Sequence, residues 1–195
     1  MDRYPETVLR RLSDLRHVAE PGEDVATVGV SADFNCGASV SVSMEIDRES
    51  KLLSKVSFTS NGCGFAVSFA EHVAEAIEGR PLTELNGDWK AECYRSFVAE
   101  AGPIQSVRMP CLAMVADAFG SALSAYRTKA VSGFEGDSPL VCSCFGVSED
   151  VLLKILDEGR ASTVPELTEI SNAGAGCGSC LMILRELVES REKDL

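Results

Sequence analysis

The chain has 195 residues, room for one or two domains, and 18 Lys and Arg against 30 Asp and Glu give it a formal net charge of −12. No basic stripe is available to neutralise phosphates, which argues against nucleic acid, and the acidic surface suits solubility or docking to a basic protein. No apolar run approaches bilayer length and the charged start, Met1-Asp2-Arg3-Tyr4-Pro5-Glu6, lacks an export signal, so a cytoplasmic protein with no membrane partner is expected.

In chain order, Val8, Leu9, Leu12 and Leu15 give the stretch from Glu6 to Leu15 helical spacing. A strand is expected around Val25 to Val30. Ser39-Val40-Ser41-Val42-Ser43-Met44-Glu45-Ile46 alternates strictly and predicts a strand with one buried face. Asp47-Arg48-Glu49-Ser50 is a turn, and Leu53 to Thr59 returns as the second arm of a hairpin. After Gly64 the period becomes helical, with Phe65, Phe69, Val73, Ala76 and Ile77 on one face and Gly79-Arg80-Pro81 as the stop. A further helix is expected from about Cys111 to Tyr126. Strands followed by helices imply an α+β domain, a small antiparallel sheet covered by helices on one side.

Ser132-Gly133-Phe134-Glu135-Gly136-Asp137-Ser138-Pro139 reads as a linker, which divides the chain into residues 1–131, the linker 132–139, and residues 140–195. Phe145 is the only aromatic residue after it, so the second domain must fold on a thin core and needs a staple. That domain reads as small and all-α. Ser148 is a candidate N-cap for a helix from Glu149 to Asp157 stopped by Gly159, and Thr163-Val164-Pro165-Glu166 starts another. A last helix is expected from Cys177 to Glu189, with Cys177 and Cys180 sharing a face at its positive end.

Eight cysteines in a chain without a secretory signal point to ligands or nucleophiles rather than disulfides. Cys142-Ser143-Cys144 and Cys177-Gly178-Ser179-Cys180 form two pairs, the second in a glycine-rich turn, and four thiolates so spaced bind a metal or an iron–sulfur cluster. Zinc ribbons usually place two or more residues inside each pair, so the single-residue gap favours the cluster over a zinc-binding structural or regulatory site. Incidental buried cysteines are the remaining alternative. Cys36, Cys63 and Cys111 each lie at the edge of an element beside Gly or Pro, where free amides stabilise a thiolate. Three such positions can converge on one metal site at the end of a sheet, or serve as small buried apolar residues. Cys93, inside a helical stretch, reads as packing. His72 reads as a surface or half-buried residue that could approach a cluster, and His17 as a helix-terminus cation. Trp89 reads as a loop anchor, and Arg185, Arg191 and Lys193 as balancing acids on the last helix. The sequence has no phosphate loop, no Ser–His–Asp candidate set and no His-Glu-x-x-His motif, so an enzyme with substrate turnover is not expected.

From about Val30 to Tyr126 the chain resembles the U-type iron–sulfur scaffold domain of NifU and IscU proteins, through Asn35-Cys36-Gly37, the hairpin, Asn61-Gly62-Cys63-Gly64, Gly79-Arg80-Pro81-Leu82 and Pro110-Cys111 with its helix. Val141-Cys142-Ser143-Cys144-Phe145-Gly146-Val147 onward to Cys177 and Cys180 resembles the bacterioferritin-associated-ferredoxin-like [2Fe-2S] domain. The order of the two is the NifU arrangement. The resemblance implies a scaffold on which Cys36, Cys63 and Cys111 hold iron and a transient [2Fe-2S] or [4Fe-4S] cluster. Sulfur would come from a cysteine desulfurase, and the product would pass to apo iron–sulfur proteins. Cys142, Cys144, Cys177 and Cys180 would hold a permanent [2Fe-2S] cluster fed by an electron donor. Two open three-thiolate sites could share one cluster in a homodimer. An electron carrier whose first domain only docks partners is the alternative.

Three departures from the family pattern qualify this. Ala38 stands where the family usually has Asp, and Pro110 where it often has His, leaving an open position for water, a partner group or Cys93. Slower release or altered loading is expected. Full NifU proteins also carry a further Cys-x-x-Cys domain, and with this chain stopping at Leu195 delivery to some targets is expected to need a separate carrier.

Overall fold

The alternation between small polar and apolar residues makes Ala38–Ile46 a strand, β2, that buries Ala38, Val40, Val42 and Met44 on one face and leaves its serines half-buried on the other. The computed structural model describes residues 4–19, 27–47, 49–85 and 88–193. In it β2 is the centre of a three-stranded antiparallel sheet, between β1 (Thr27–Asp33) and β3 (Leu53–Ser60). The register runs from Thr27 opposite Met44 to Asp33 opposite Ala38, and pairs Val42 with Phe58 on the other side. The first strand expected at 25–30 therefore extends to Asp33, while Val25 and the turn residue Arg48 lie outside the described residues.

The chain forms two units, one of residues 1–80 and 88–125, the other of residues 81–87 and 126–195. In the first, helices α1 (Glu6–Ser13), α2 (Gly64–Ile77), α3 (Trp89–Ala101) and the start of α4 (Met109–Ser132) accompany the sheet. Helix α4 is longer than the expected 111–126 because nothing in Arg127–Ser132 opposes helix, and it ends at Gly133. Strand β1 lies close against α4: a β-carbon on Gly29 would stand 2.1 Å from Ala122 N and 2.4 Å from Ala118 O. Only glycine permits that approach.

Helix α2 is buried more completely than its predicted face, since it packs against both β3 and α3. Phe65 and Ala76 are half-buried, whereas Glu71 and His72 are buried. The Glu71 carboxylate is satisfied by Arg16 N–H at 3.0 Å, His17 N–H at 3.2 Å and His17 Nδ1 at 2.8 Å. His17, expected at a helix end, instead joins the segment after α1 to α2. His72 Nε2 meets Ser96 Oγ at 2.7 Å, and its ring stacks among Phe69 and Phe97. Trp89, expected in a loop, is the buried first residue of α3.

The second unit is helical apart from a short hairpin, β4 (Leu140–Cys142) with β5 (Val147–Ser148). Its helices are α5 (Glu149–Asp157), α6 (Val164–Ser171) and α7 (Leu181–Lys193). The core holds Leu152, Leu167 and Leu184, and Cys142, Cys144 and Cys180 are part of it. Helix α6 starts with Pro165 in its first turn, as the sequence predicts, and Thr163 caps it in a reciprocal box with Glu166. Ser148 occupies the N-cap position of α5, but its hydroxyl bonds the Asp150 carboxylate rather than a backbone amide. The last helix starts at Leu181, four residues later than expected, because Gly178 adopts φ +75 and leaves Cys177 and Cys180 in the preceding turn. Arg191 pairs with Asp157 of α5 at 2.7 Å rather than with an acid of its own helix.

Gly29→Ala is expected to lower the unfolding free energy by about 3 kcal/mol, the upper range for an overpacked site, because helix backbone rather than a mobile side chain meets the new methyl. Urea titration against wild type measures it. Burial, then the Arg11 charge, outweigh Glu100 and Glu75 and hold the His72 pKa below its ordinary 6.5. The unfolded chain therefore binds the extra proton first, and stability is lost as pH falls through 6.5 toward the lower folded value. The melting-temperature drop between about pH 7.5 and 5.5 is expected to be larger for wild type than for His72→Gln.

Candidate metal centres

Three cysteines from separate elements line one open cavity of about 600 Å3 in the first unit. Cys36 is exposed in the four-residue loop between β1 and β2, Cys63 is half-buried as the N-cap of α2, and Cys111 is buried in the first turn of α4. The Cys63 and Cys111 sulfurs stand 3.7 Å apart. Burial raises the Cys63 pKa, but the amides of Ala66 and Phe65, the Cys111 thiol and the Arg108 charge together hold it below the ordinary thiol value. Burial, with the Cys63 contact and charge added, pushes Cys111 up to about 11. The two thiols are thus shifted in opposite directions, Cys63 toward the thiolate and Cys111 toward the protonated form.

Asn61 fixes the cavity's rim. Its Oδ1 accepts from Ser39 N at 2.6 Å and its Nδ2 donates to the Gly37 carbonyl at 3.2 Å, which ties the loop bearing Cys36 to the loop bearing Cys63. Gly37 has φ +72, a left-handed position that closes the Cys36 loop. Arg108, in the short 3-10 turn Ser106–Arg108 before α4, lines the same cavity and sits 6.0 Å over the Phe65 ring. Sequence reasoning passed over Arg108 and Asp33. The available signals were a cation three residues before a cysteine, and an Asp-x-Asn turn leading into one. Cys93 lies buried in α3 with its thiol pKa raised by burial, and neither it nor His72 is among the residues lining the cavity.

The second set, Cys142, Cys144, Cys177 and Cys180, is brought together inside the second unit. The thiols of Cys144 and Cys180 both bond Cys142, and with the Gly174 and Phe145 amides they outweigh burial and strongly lower its pKa. Cys144 and Cys180 are raised, first by that contact and then by burial. Cys177 is half-buried; burial raises its pKa, but the Ser179 hydroxyl and amide, the Cys144 thiol and the Arg127 charge bring it below the ordinary value. A β-carbon on Gly176 would stand 2.9 Å from Cys144 Cβ and 3.0 Å from its sulfur. Donor set and cradle fit a thiolate-bound cluster: four sulfurs, amides aimed at them, and backbone without side chains alongside. The thiols touch one another, and among the described residues no three Cys, His, Asp or Glu side chains are closed around one metal position.

Residues 3–132 match the NifU-like N terminal domain family. The chain belongs to that family. Residues 140–190 match the BFD-like [2Fe-2S] binding domain. Nitrogen fixation protein NifU of Trichormus azollae is 30% identical over 173 residues, covering 87% of this chain and 56% of that protein. This chain thus spans about half the length of the NifU proteins it matches. Iron sulfur cluster assembly protein 1, mitochondrial, of Debaryomyces hansenii is 27% identical over 129 residues, 65% of this chain and 69% of that protein. The crystal structure of a nitrogen-fixing NifU-like protein (N-terminal) from Brucella abortus superposes with a TM-score of 0.49 at 15% identity, over 64% of this chain and 94% of that one. In this NifU-like chain the three-thiol cavity falls within the first matched range and the four-thiol set within the second.

Gly176→Ala is expected to cut the iron and sulfide retained by residues 140–190 by about tenfold, a loss typical of disturbed surroundings of a metal site. Metal and sulfide analysis checks it, with the folded state confirmed by far-UV circular dichroism.

Proposed function

We propose that this chain is an iron–sulfur cluster assembly scaffold of the cytoplasm, not an enzyme that turns over a substrate. The observation that carries the reading is the pairing of two unlike thiol sets on one chain. Three thiols line an open cavity, and four others lie mostly within a core. An open, incomplete site suits cargo that must enter and leave, while a largely buried four-thiol set suits a resident group.

In this reading Cys36, Cys63 and Cys111 receive iron and hold a transient cluster as cargo. The amides of Ala66 and Phe65 favour the thiolate form of Cys63, and Arg108 offsets the charge that accumulates as iron and sulfide gather. A cysteine desulfurase supplies sulfur as a persulfide. Reducing it, RSS⁻ + H⁺ + 2e⁻ giving RS⁻ + HS⁻, requires electrons from an external donor. Cys142, Cys144, Cys177 and Cys180 would hold a permanent [2Fe-2S] cluster, which supplies electrons one at a time when bound. Carriage on the same chain raises the effective concentration of that electron source at the cavity. Apo iron–sulfur proteins are the recipients.

Cys63→Ser tests the reading. With desulfurase, cysteine and ferrous iron, the variant is expected to lose most of the iron and sulfide that wild type gains, while Cys177→Ser loses the absorbance present before incubation. Equal gain by Cys63→Ser and wild type would contradict the scaffold assignment and leave an electron carrier.

A further inference from the structure

Three thiolates leave one position open on a four-coordinate ion, and the residues lining the cavity offer few groups to fill it. The Asn61 amide is committed at both ends, to Ser39 and to Gly37. Arg108 is a cation without an acceptor. Asp33 contributes the one carboxylate among the lining residues. We propose that Asp33 is the oxygen ligand that completes a three-sulfur, one-oxygen site for a thiophilic divalent cation, a proposal that rests on the scaffold reading of the same cavity.

The strand register places it. Asp33 is the last residue of β1 and pairs directly with Ala38, the first residue of β2, so the two β-carbons share one sheet face about 5 Å apart. Ala38 presents only a methyl there. The loop of residues 34–37 between them carries Cys36, and the Gly37 N–H donates to the Asp33 carbonyl at 2.9 Å. The Asn35 N–H donates to Asp33 Oδ1 at 2.8 Å, which uses one of about four lone-pair positions on the carboxylate and sets its direction. One residue thus shapes the loop that presents Cys36 and holds free acceptor capacity in the cavity that the three cysteines line. A carboxylate is harder than a thiolate and exchanges more readily on a borderline ion, which suits a site that must let its cargo go.

Asp33→Asn separates ligation from loop shaping, because an amide oxygen still accepts the Asn35 N–H while the anionic oxygen is lost. Zinc affinity of the full chain is measured by competition with a chromophoric chelator. The Cys36→Ser/Cys63→Ser/Cys111→Ser chain defines zinc held elsewhere. Asp33→Asn is expected to weaken the cavity's zinc at least about tenfold, with an unchanged melting temperature of the metal-free protein. With cobalt(II), its ligand-field bands are expected to shift while thiolate charge-transfer absorption remains. Wild-type affinity and bands in Asp33→Asn overturn the proposal, as does a loss of affinity that only follows a lower metal-free melting temperature. If wild type holds no more zinc than the triple-serine chain, the scaffold reading falls with it.

Discussion

Sulfur atoms gathered side by side repel as thiolates and are costly to bury unless backbone amides face them, and that constraint organises both halves of this protein. In the first unit the amides come from element starts. Cys63 caps α2, whose Phe65 and Ala66 amides face its sulfur, and Cys111 lies in the first turn of α4 with its sulfur 3.7 Å away. Gly29 lets β1 lie directly on α4, and Asn61 binds the Cys36 loop to the Cys63 loop. The sheet is the frame that holds three element ends at one cavity.

The second unit meets the same constraint with a turn. Glycines at 174 and 178 take left-handed conformations, so the turn before α7 bends its amides toward the thiols instead of continuing as helix. After residue 139 Phe145 is the one aromatic residue, and this unit includes Cys142, Cys144 and Cys180 among its buried side chains. Bridging those sulfurs with a bound group would couple ligand retention to folding. In the first unit, by contrast, Val40, Val42, Phe58, Phe69 and Phe119 supply large apolar side chains to the core, and of the three cavity cysteines only Cys111 is buried. That difference supports assigning exchangeable cargo to one site and a resident cluster to the other.

Much of this was legible in the sequence because it is local. Strict alternation marks β2, the proline at 165 marks the first turn of α6, and the two cysteine pairs mark the second thiol set. What stayed hidden depends on partners far along the chain. His17 is drawn to Glu71, and Arg191 to Asp157, by packing between elements that no window of sequence contains. The delayed start of α7 turns on the backbone sign at Gly178, which glycine permits but does not dictate. Asp33 escaped notice because its relation to the thiols arises from cross-strand register with Ala38, whereas in sequence it is an ordinary turn former.

The most direct measurement is the iron, zinc and acid-labile sulfide content per chain of anaerobically purified protein, before and after incubation with a cysteine desulfurase, cysteine and ferrous iron. About two irons and two sulfides are expected at the outset, with a rise on incubation and transfer of the excess to an apo-protein. A value near two that never rises would contradict the scaffold, and zinc without sulfide would contradict both centres as iron–sulfur sites.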